Sequence, residues 1–553
     1  MRALYFVGAV FSVVTLWAVT LTSPPSDGFV STTGGGRTVA EKKALAVAFV
    51  ETQLRQNPTI PGLTLSVAYK GDTVIAQGFG LKQSDNPISQ VTASTMFQIG
   101  SYSKTFIAVG IAKLIDDGKM TWHDPVKSHL PWFKLQDKYA EEYTALGDLL
   151  SMNSVLGAFD GDLAFVFGLF PTERALVEHL AELNTTRSIR SGYAYSNMNF
   201  EILGQVIEHA TNQTWPAFLR QSIWNPLGMH ETFASPAEAA AAHQGAHLAD
   251  GHMSCGAKVI GPFNTVTDSL ALLSTAFSDL AAGSVVSSAN DLAIFSHFLL
   301  SSGRDLFKSS TLVQEITTGH TVLDNMVVVD TDAADAFGFA YNPDGNVIAA
   351  GYGIDVVGNV MFGYDFFTKN GDTATFKQRN GFVPSERLGV VLAANTGAKS
   401  PPGSAPYFLL DRIRSYLLGI FLDVPQPQLD AMWNQAIHRA NQLQPDGVGD
   451  CDAHFFQGVP WEVDGLVISP TTQAKLVGSY VAVASPGLYD YLKLTRQRDQ
   501  LVLHYGMYTH KLIATADPDT FIWDVEIAGR SLTVQVSDVD TLLFLGISFV
   551  RNA

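Results

Sequence analysis

Three short stretches of this chain carry side chains that could act together on a substrate. The first runs Phe97-Gln98-Ile99-Gly100-Ser101-Tyr102-Ser103-Lys104 and contains a Ser-x-x-Lys tetrad, Ser101 to Lys104. An apolar, helix-compatible run follows, from Phe106, Ile107, Ala108 and Val109 through Ile111 and Ala112 to Leu114 and Ile115. This pattern predicts a helix that starts at about Ser101. Lys104, one turn later, shares its face. A hydroxyl and an amine held that way form a nucleophile and base pair. The helix start also points unpaired N–H groups at whatever Ser101 attacks. The tetrad alone is a weak signal, because a Ser-rich chain of this length carries one by chance.

The second stretch is Tyr193-Ala194-Tyr195-Ser196-Asn197, in a loop before a helix that begins near Phe200. Tyr195 and Asn197 place a phenol and an amide on one short turn. A phenol relays a proton when nearby cations lower its pKa. Read alone, the stretch is an ordinary helix start, since Asn caps helices well. The third stretch is Thr368-Lys369-Asn370-Gly371-Asp372, directly after a predicted strand over Val360–Phe367. Lys369 followed two residues later by Gly371 fits an edge strand on which a substrate backbone lies, with Gly keeping side chains away. The charge on Lys369 would help to hold Lys104 neutral. Read alone, Lys-Asn-Gly-Asp is a β-turn.

These stretches need elements to position them. Periodicity predicts a helix over Val39–Leu54, then a hairpin of Leu63–Tyr69 and Thr73–Ala76 around Lys70-Gly71-Asp72. Residues 144–300 read as mostly helical, most clearly at Ala145–Leu150, Glu173–Leu183, Phe200–Ala210 and Ser288–Leu300. Strands return at Val360–Phe367 and Leu388–Ala394, and a helix follows at Tyr407–Leu418. Strands at both ends with helices between them predict one sheet built from the two termini of the unit, an α/β or α+β domain over 39–420. Residues 421–470 read as a linker packing on that domain, with a helix at Ala431–Leu443. The alternating segments Tyr491–Thr495, Leu501–Tyr505, Thr520–Val525, Leu532–Val536 and Leu542–Phe549 predict a small antiparallel β-barrel or sandwich over 471–553.

Composition narrows the function classes. Of the 553 residues, 46% are hydrophobic and 16% charged, which is globular material. The net charge of −17 argues against a nucleic-acid partner. Two cysteines, Cys255 and Cys451, are too few to staple the fold, and they leave their pairing open. The run from Ala3 to about Leu21 reads as a signal peptide or signal anchor over 1–22, followed by a flexible linker over 23–38. The expected location is therefore secreted or extracytoplasmic, with membrane contact only through residues 3–22. Gly351-Tyr352-Gly353 lacks the third glycine of a dinucleotide loop. Asp330–Asp335 has Asp335 where a calcium loop needs Gly. No metal and no organic cofactor is expected.

Taken together and in this order, the three stretches resemble the serine β-lactamase and penicillin-binding-protein superfamily, in its class C-like, S12-type branch of D-aminopeptidases and esterases. Pro61-Gly62-Leu63, Thr95–Ser101, Asp117-Gly118-Lys119-Met120, Asp124-Pro125-Val126, Leu149–Ser154 and Ala282–Ser287 fit the same resemblance, which covers about residues 40–420. The chain has no Gly-x-Ser-x-Gly elbow of the α/β-hydrolase kind. The stretch Lys475–Val550 looks like the lipocalin-like domain attached to some members of this branch.

The resemblance implies a mixed antiparallel sheet flanked by helices, with a helical subdomain. It implies Ser101 as the acylated nucleophile and Lys104 as acceptor or relay of its proton. Tyr195 would act in proton transfer, as base for the deacylating water. Asn197 would hold a substrate amide or the Lys104 amine, Lys369 would supply a positive field, and Gly371 an open edge. The backbone N–H groups of Ser101 and Asp372 would form the oxyanion hole. At the third motif Asn370 stands where the family usually has Thr, and Asp372 adds a negative charge. Both weaken the case for substrates ending in a free carboxylate, β-lactams included. The expected activity is hydrolysis of a small peptide, amide or ester through an acyl-enzyme. A catalytically inactive binding or assembly protein is the alternative, and a ligand-binding role for the barrel fits either.

Overall fold

The computed structural model describes residues 36–255, 258–268, 276–323, 348–398, 408–442, 466–525, 532–538 and 540–552. The apolar run of residues 3–22, the Asp330–Asp335 stretch and Cys451 lie outside the described residues. Among the described residues no helix is long and apolar enough to cross a membrane.

Chain segments far apart in sequence share one sheet. Strand Gly62–Tyr69 is buried along its whole length. It pairs with Asp72–Gly80 through a turn at Lys70 (φ 54°) and Gly71 (φ 101°), where positive φ at both residues matches the twist of a tight hairpin. On its other side it pairs antiparallel with Leu388–Ala394, Leu63 facing Ala394. The sheet continues through Lys377–Val383, Tyr364–Thr368, Ile354–Met361, Ala349–Gly351 and Thr321–Val322. A two-residue strand, Gly371–Asp372, pairs with Gln378 and Lys377 beside that path. Helix Leu409–Phe421 covers one face with Val39–Gln56, and helix Gln426–Gln442 packs on it. Trp433 there meets Phe49 edge-on at 5.1 Å and Tyr416 at 5.8 Å.

The helical part contains Ser103–Asp116, Leu146–Leu150, Glu173–His179, Met198–Thr211 and Ala289–Leu300, as periodicity predicts. Helix Ser103–Asp116 is apolar almost all round and lies inside the large core cluster. A hairpin, Gly251–Cys255 with Lys258–Phe263, interrupts this region and pairs with Gly397–Ala398. The second strand carries Val259, Ile260 and a Gly261-Pro262 pair, a run too short to separate from loop by pattern.

Two predicted strands are in fact hairpins. Val360–Phe367 turns back at Phe362 (φ 52°) and Gly363 (φ 79°), so that Ile354–Met361 and Tyr364–Thr368 are neighbours. Leu542–Phe549 turns at Leu545 (φ 52°) and Gly546 (φ 75°). In both, an apolar residue before Gly hides a two-residue turn inside an apolar run. Gly351-Tyr352-Gly353 also makes a hairpin corner. A Cβ on Gly353 would lie 2.8 Å from the Lys104 carbonyl oxygen, so this corner presses directly on helix Ser103–Asp116.

The C-terminal strands close into an eight-stranded barrel, completed by Gly478–Ala482 and Tyr508–Ala514. Its interior takes a side chain from the other part of the molecule. Phe167, fully buried after helix Asp162–Val166, lies 5.1 Å from Tyr505, 5.8 Å from Trp523 and 5.7 Å from Phe544, ring centre to ring centre. Its carbonyl accepts from the Met507 N–H at 2.8 Å.

Candidate active site

Gly100 adopts φ +52° and opens a single 3₁₀ turn over Gly100–Tyr102, from which helix Ser103–Asp116 continues. Ser101 thus stands at the helix start as predicted, with a small opening to solvent, 8% of its surface. Lys104 is fully buried one turn on, and its Nζ lies 3.1 Å from Ser101 Oγ.

The amine has two further neighbours, Asn197 Oδ1 at 2.8 Å and the Ala282 carbonyl oxygen at 2.7 Å. Burial, and then the charge of Lys369, hold the Lys104 amine well below its ordinary pKa. A neutral amine has two hydrogens and one lone pair. Asn197 Oδ1 and Ala282 O only accept, so they take the hydrogens, and the lone pair faces Ser101 Oγ. The Asn197 amide is oriented by Asp162, whose Oδ2 accepts from Asn197 Nδ2 at 2.7 Å. Of the two roles implied for Asn197, holding Lys104 is the one seen.

Tyr195 donates to Ser101 Oγ at 2.6 Å. Lys369 Nζ donates to the Tyr195 oxygen at 3.3 Å and pairs with Asp355 at 2.6 Å. The expectation that cations lower the phenol's pKa is corrected by this arrangement. Burial, followed by the Asp355 charge, pushes Tyr195 well above its ordinary value. Asp355 offsets the Lys369 charge, and Tyr195 rests as a neutral phenol.

Gly371 is required by a close approach. A Cβ there would fall 1.8 Å from the Ile99 carbonyl oxygen and 3.0 Å from the Ser101 nitrogen. A Cβ on Gly100 would fall 2.7 Å from the Asp372 nitrogen. The amides of Ser101 and Asp372 are therefore brought to one spot by two residues without side chains.

The two side chains expected to repel carboxylates are placed differently. Asp372 pairs with Arg379 at 2.6 Å and lies 3.6 Å from Lys377, which hold its carboxyl below the ordinary range against the cost of burial. Its charge is thus neutralised. Asn370 donates to Asp411 on helix Leu409–Phe421 at 3.1 Å. Neither acts as a free polar group beside Ser101.

Sequence reading brings Ser101, Lys104, Tyr195, Asn197, Lys369, Gly371 and Asp372 forward, and all seven converge. It misses Asp162, Asp355 and the Ala282 carbonyl. The available signal is an acid next to apolar residues, Asp162 before Leu163-Ala164-Phe165-Val166 and Asp355 between Ile354 and Val356. Such an acid needs a buried partner.

A family model described as Beta-lactamase matches residues 47–412. An unguisins hydrolase from Aspergillus campestris is 32% identical over 203 residues, 35% of this chain and 36% of that protein. Protein flp of Staphylococcus aureus strain N315 is 27% identical over 187 residues, 32% of this chain and 35% of its own length. The match spans about a third of each of these relatives. Among solved structures, an octameric penicillin-binding protein homologue from Pyrococcus abyssi aligns over 92% of this chain and 99% of its own, with TM-score 0.53 and 18% identity. A D-amino acid amidase from Ochrobactrum anthropi SV3 aligns over 70% of this chain and 98% of its own, with TM-score 0.52 and 19% identity. At these identities the two structures speak to the fold alone.

Proposed function

The chain belongs to the Beta-lactamase family, and from that premise we propose that it is a serine hydrolase that cleaves an amide or ester bond through an acyl-enzyme on Ser101. The observation that carries this reading is the buried Lys104 amine, 3.1 Å from Ser101 Oγ and within 2.8 Å of Asn197 Oδ1 and 2.7 Å of the Ala282 carbonyl oxygen, an arrangement in which the neutral amine gives its hydrogens to the two acceptors and turns its lone pair to Ser101.

The Ser101 hydroxyl proton passes to Lys104 Nζ as Oγ bonds to the substrate carbonyl carbon. The resulting oxyanion is held by the Ser101 and Asp372 N–H groups. As the tetrahedral intermediate collapses, the bond to the leaving amine or alcohol breaks. The leaving group takes a proton from Tyr195, which is refilled from the Lys104 ammonium. Water then attacks the acyl carbon. Lys104, through the Tyr195 oxygen, accepts its proton, and Ser101 leaves with one restored. Tyr195 serves as a neutral relay rather than as a resting phenolate.

Small peptides, D-amino-acid amides and esters remain the substrate classes of choice. The charge argument against carboxylate substrates falls away, because Asp372 is neutralised by Arg379 and Lys377. What disfavours a β-lactam is position 370, where an amide engaged by Asp411 replaces a hydroxyl donor. A fluorophosphonate probe is expected to label the protein, and Ser101→Ala to abolish labelling. Persistent labelling of that variant would sink the assignment. A folded wild-type chain that neither reacts with the probe nor turns over an amide and ester panel would instead be a non-catalytic binding protein.

A further inference from the structure

Beneath Lys104 lies a second acidic group that the proposed reaction does not use. Glu173 opens helix Glu173–His179, and Glu201 lies in the first turn of helix Met198–Thr211. Glu201 is fully buried and Glu173 is 8% exposed. Both carboxyls converge on one backbone turn. The Ala281 N–H lies 3.3 Å from Glu173 Oε1 and 3.3 Å from Glu201 Oε2. The Ala282 N–H donates to Glu201 Oε1 at 3.0 Å, and Trp215 Nε1 donates to Glu173 Oε2 at 3.0 Å. Helix Met198–Thr211 makes room for this with Gly204, where a Cβ would lie 3.0 Å from Ala281 Cβ and 3.2 Å from Glu173 Oε1.

We propose that Glu173 and Glu201 share one proton and act as a positioning pair for Lys104. They fix the Ala281–Ala282 turn, whose Ala282 carbonyl accepts from the Lys104 amine at 2.7 Å. Two carboxylates reaching for the same N–H in a dry interior cannot both ionise. Glu173 keeps the proton and donates it to Glu201, because burial and the neighbouring Glu201 and Glu208 charges push Glu173 well above the carboxylate range. Burial pushes Glu201 up as well, but the bond from Glu173, the two N–H groups and the Lys104 charge pull it back, so in the pair Glu201 carries the single negative charge. The arrangement commits one hydrogen of the amine to a rigid acceptor and leaves the lone pair no direction but Ser101. The inference rests on Lys104 as the base of the proposed hydrolase.

Two readouts separate the pair from that hydrolase reading. In infrared difference spectra of the full chain, wild type minus Glu173→Gln, a protonated-carboxyl band is expected. Its absence would overturn the proposal whatever the activity. In fluorophosphonate labelling, Glu201→Gln places an NH₂ group against the Ala281 and Ala282 N–H groups. It is expected to slow acylation by on the order of 10- to 100-fold, the cost of a misplaced catalytic group. Glu173→Gln still donates to Glu201 and is expected to stay within about threefold.

The acidic limb of the rate profile should also move. Lys104 faces Glu201, Lys369, Asp355 and Asp162, and the Glu201 charge works to raise its pKa. Glu201→Gln therefore shifts the limb to lower pH, while Glu173→Gln leaves it in place. A purely structural role moves rate or stability but not the limb. If Glu201→Gln fails to fold, the infrared band and the Glu173→Gln against Glu173→Leu rate comparison decide, with loss expected only for Leu. Equal rates in all variants would overturn the pair. An unreactive wild type that still shows the band would overturn the hydrolase reading and leave the shared proton standing.

Discussion

The large sheet and the C-terminal barrel are both made of antiparallel strands, but only one of them keeps an unpaired strand edge. The large sheet carries the two-residue strand Gly371–Asp372 beside the Ser101 turn, with a glycine on each side of the gap. The barrel closes all eight strands on themselves, so no edge remains. Its interior is occupied by its own rings and by Phe167 from the helical part. Closure uses up the groups that recognise a substrate backbone, whereas an interrupted edge keeps them. The barrel thus packs against the loop after helix Asp162–Val166 through Phe167.

The strongest way to break this contrast is Gly371→Ala. The new methyl meets the Ile99 carbonyl, pushes the strand off Ser101, and should cost on the order of 10³ in labelling rate by displacing an oxyanion donor. Barrel fluorescence from Trp523 should not change. Near-normal labelling would mean that the edge is not where the substrate lies. The complementary variant is Phe167→Ala. Emptying a buried aromatic site should cost about 3 kcal/mol or more, read as a fall in denaturation midpoint. Labelling of the folded fraction should change much less. The reverse pattern would make the barrel part of the chemistry.

A smaller effect sharpens the cleft side alone. With Lys104 held well below its ordinary pKa, the neutral base persists to lower pH than a solvated lysine allows. The acylation rate should be flat above the amine's depressed pKa and fall by about tenfold per pH unit below it. A rate that keeps climbing to about pH 10.4, the ordinary lysine value, would show a solvated amine instead.

Much of this cleft is legible in the sequence because helical spacing alone pairs Ser101 with Lys104, and because a glycine two residues after Lys369 suits a strand edge that must stay clear of side chains. Asn197 and Tyr195 are readable only jointly with those motifs. The charges behind them are not readable. Asp355 reverses the expected effect of Lys369 on Tyr195, and Arg379 cancels Asp372. Both depend on which side chains face each other across strands, a matter of register that local pattern does not reveal. The hidden turns at Phe362-Gly363 and Leu545-Gly546 escape for a different reason. Apolar residues there satisfy the barrel and sheet cores while adopting the backbone of a turn.

The pairing of Leu63 with Ala394 also sets a timetable. Gly62–Tyr69 leaves the ribosome early, with every position apolar or destined for burial, and its inner partner does not yet exist. At ~5–20 residues per second the wait is roughly 15 to 70 s. During that interval the hairpin with Asp72–Gly80 exposes one unpaired edge, open to self-association, and the Ser101 turn has no strand beside it.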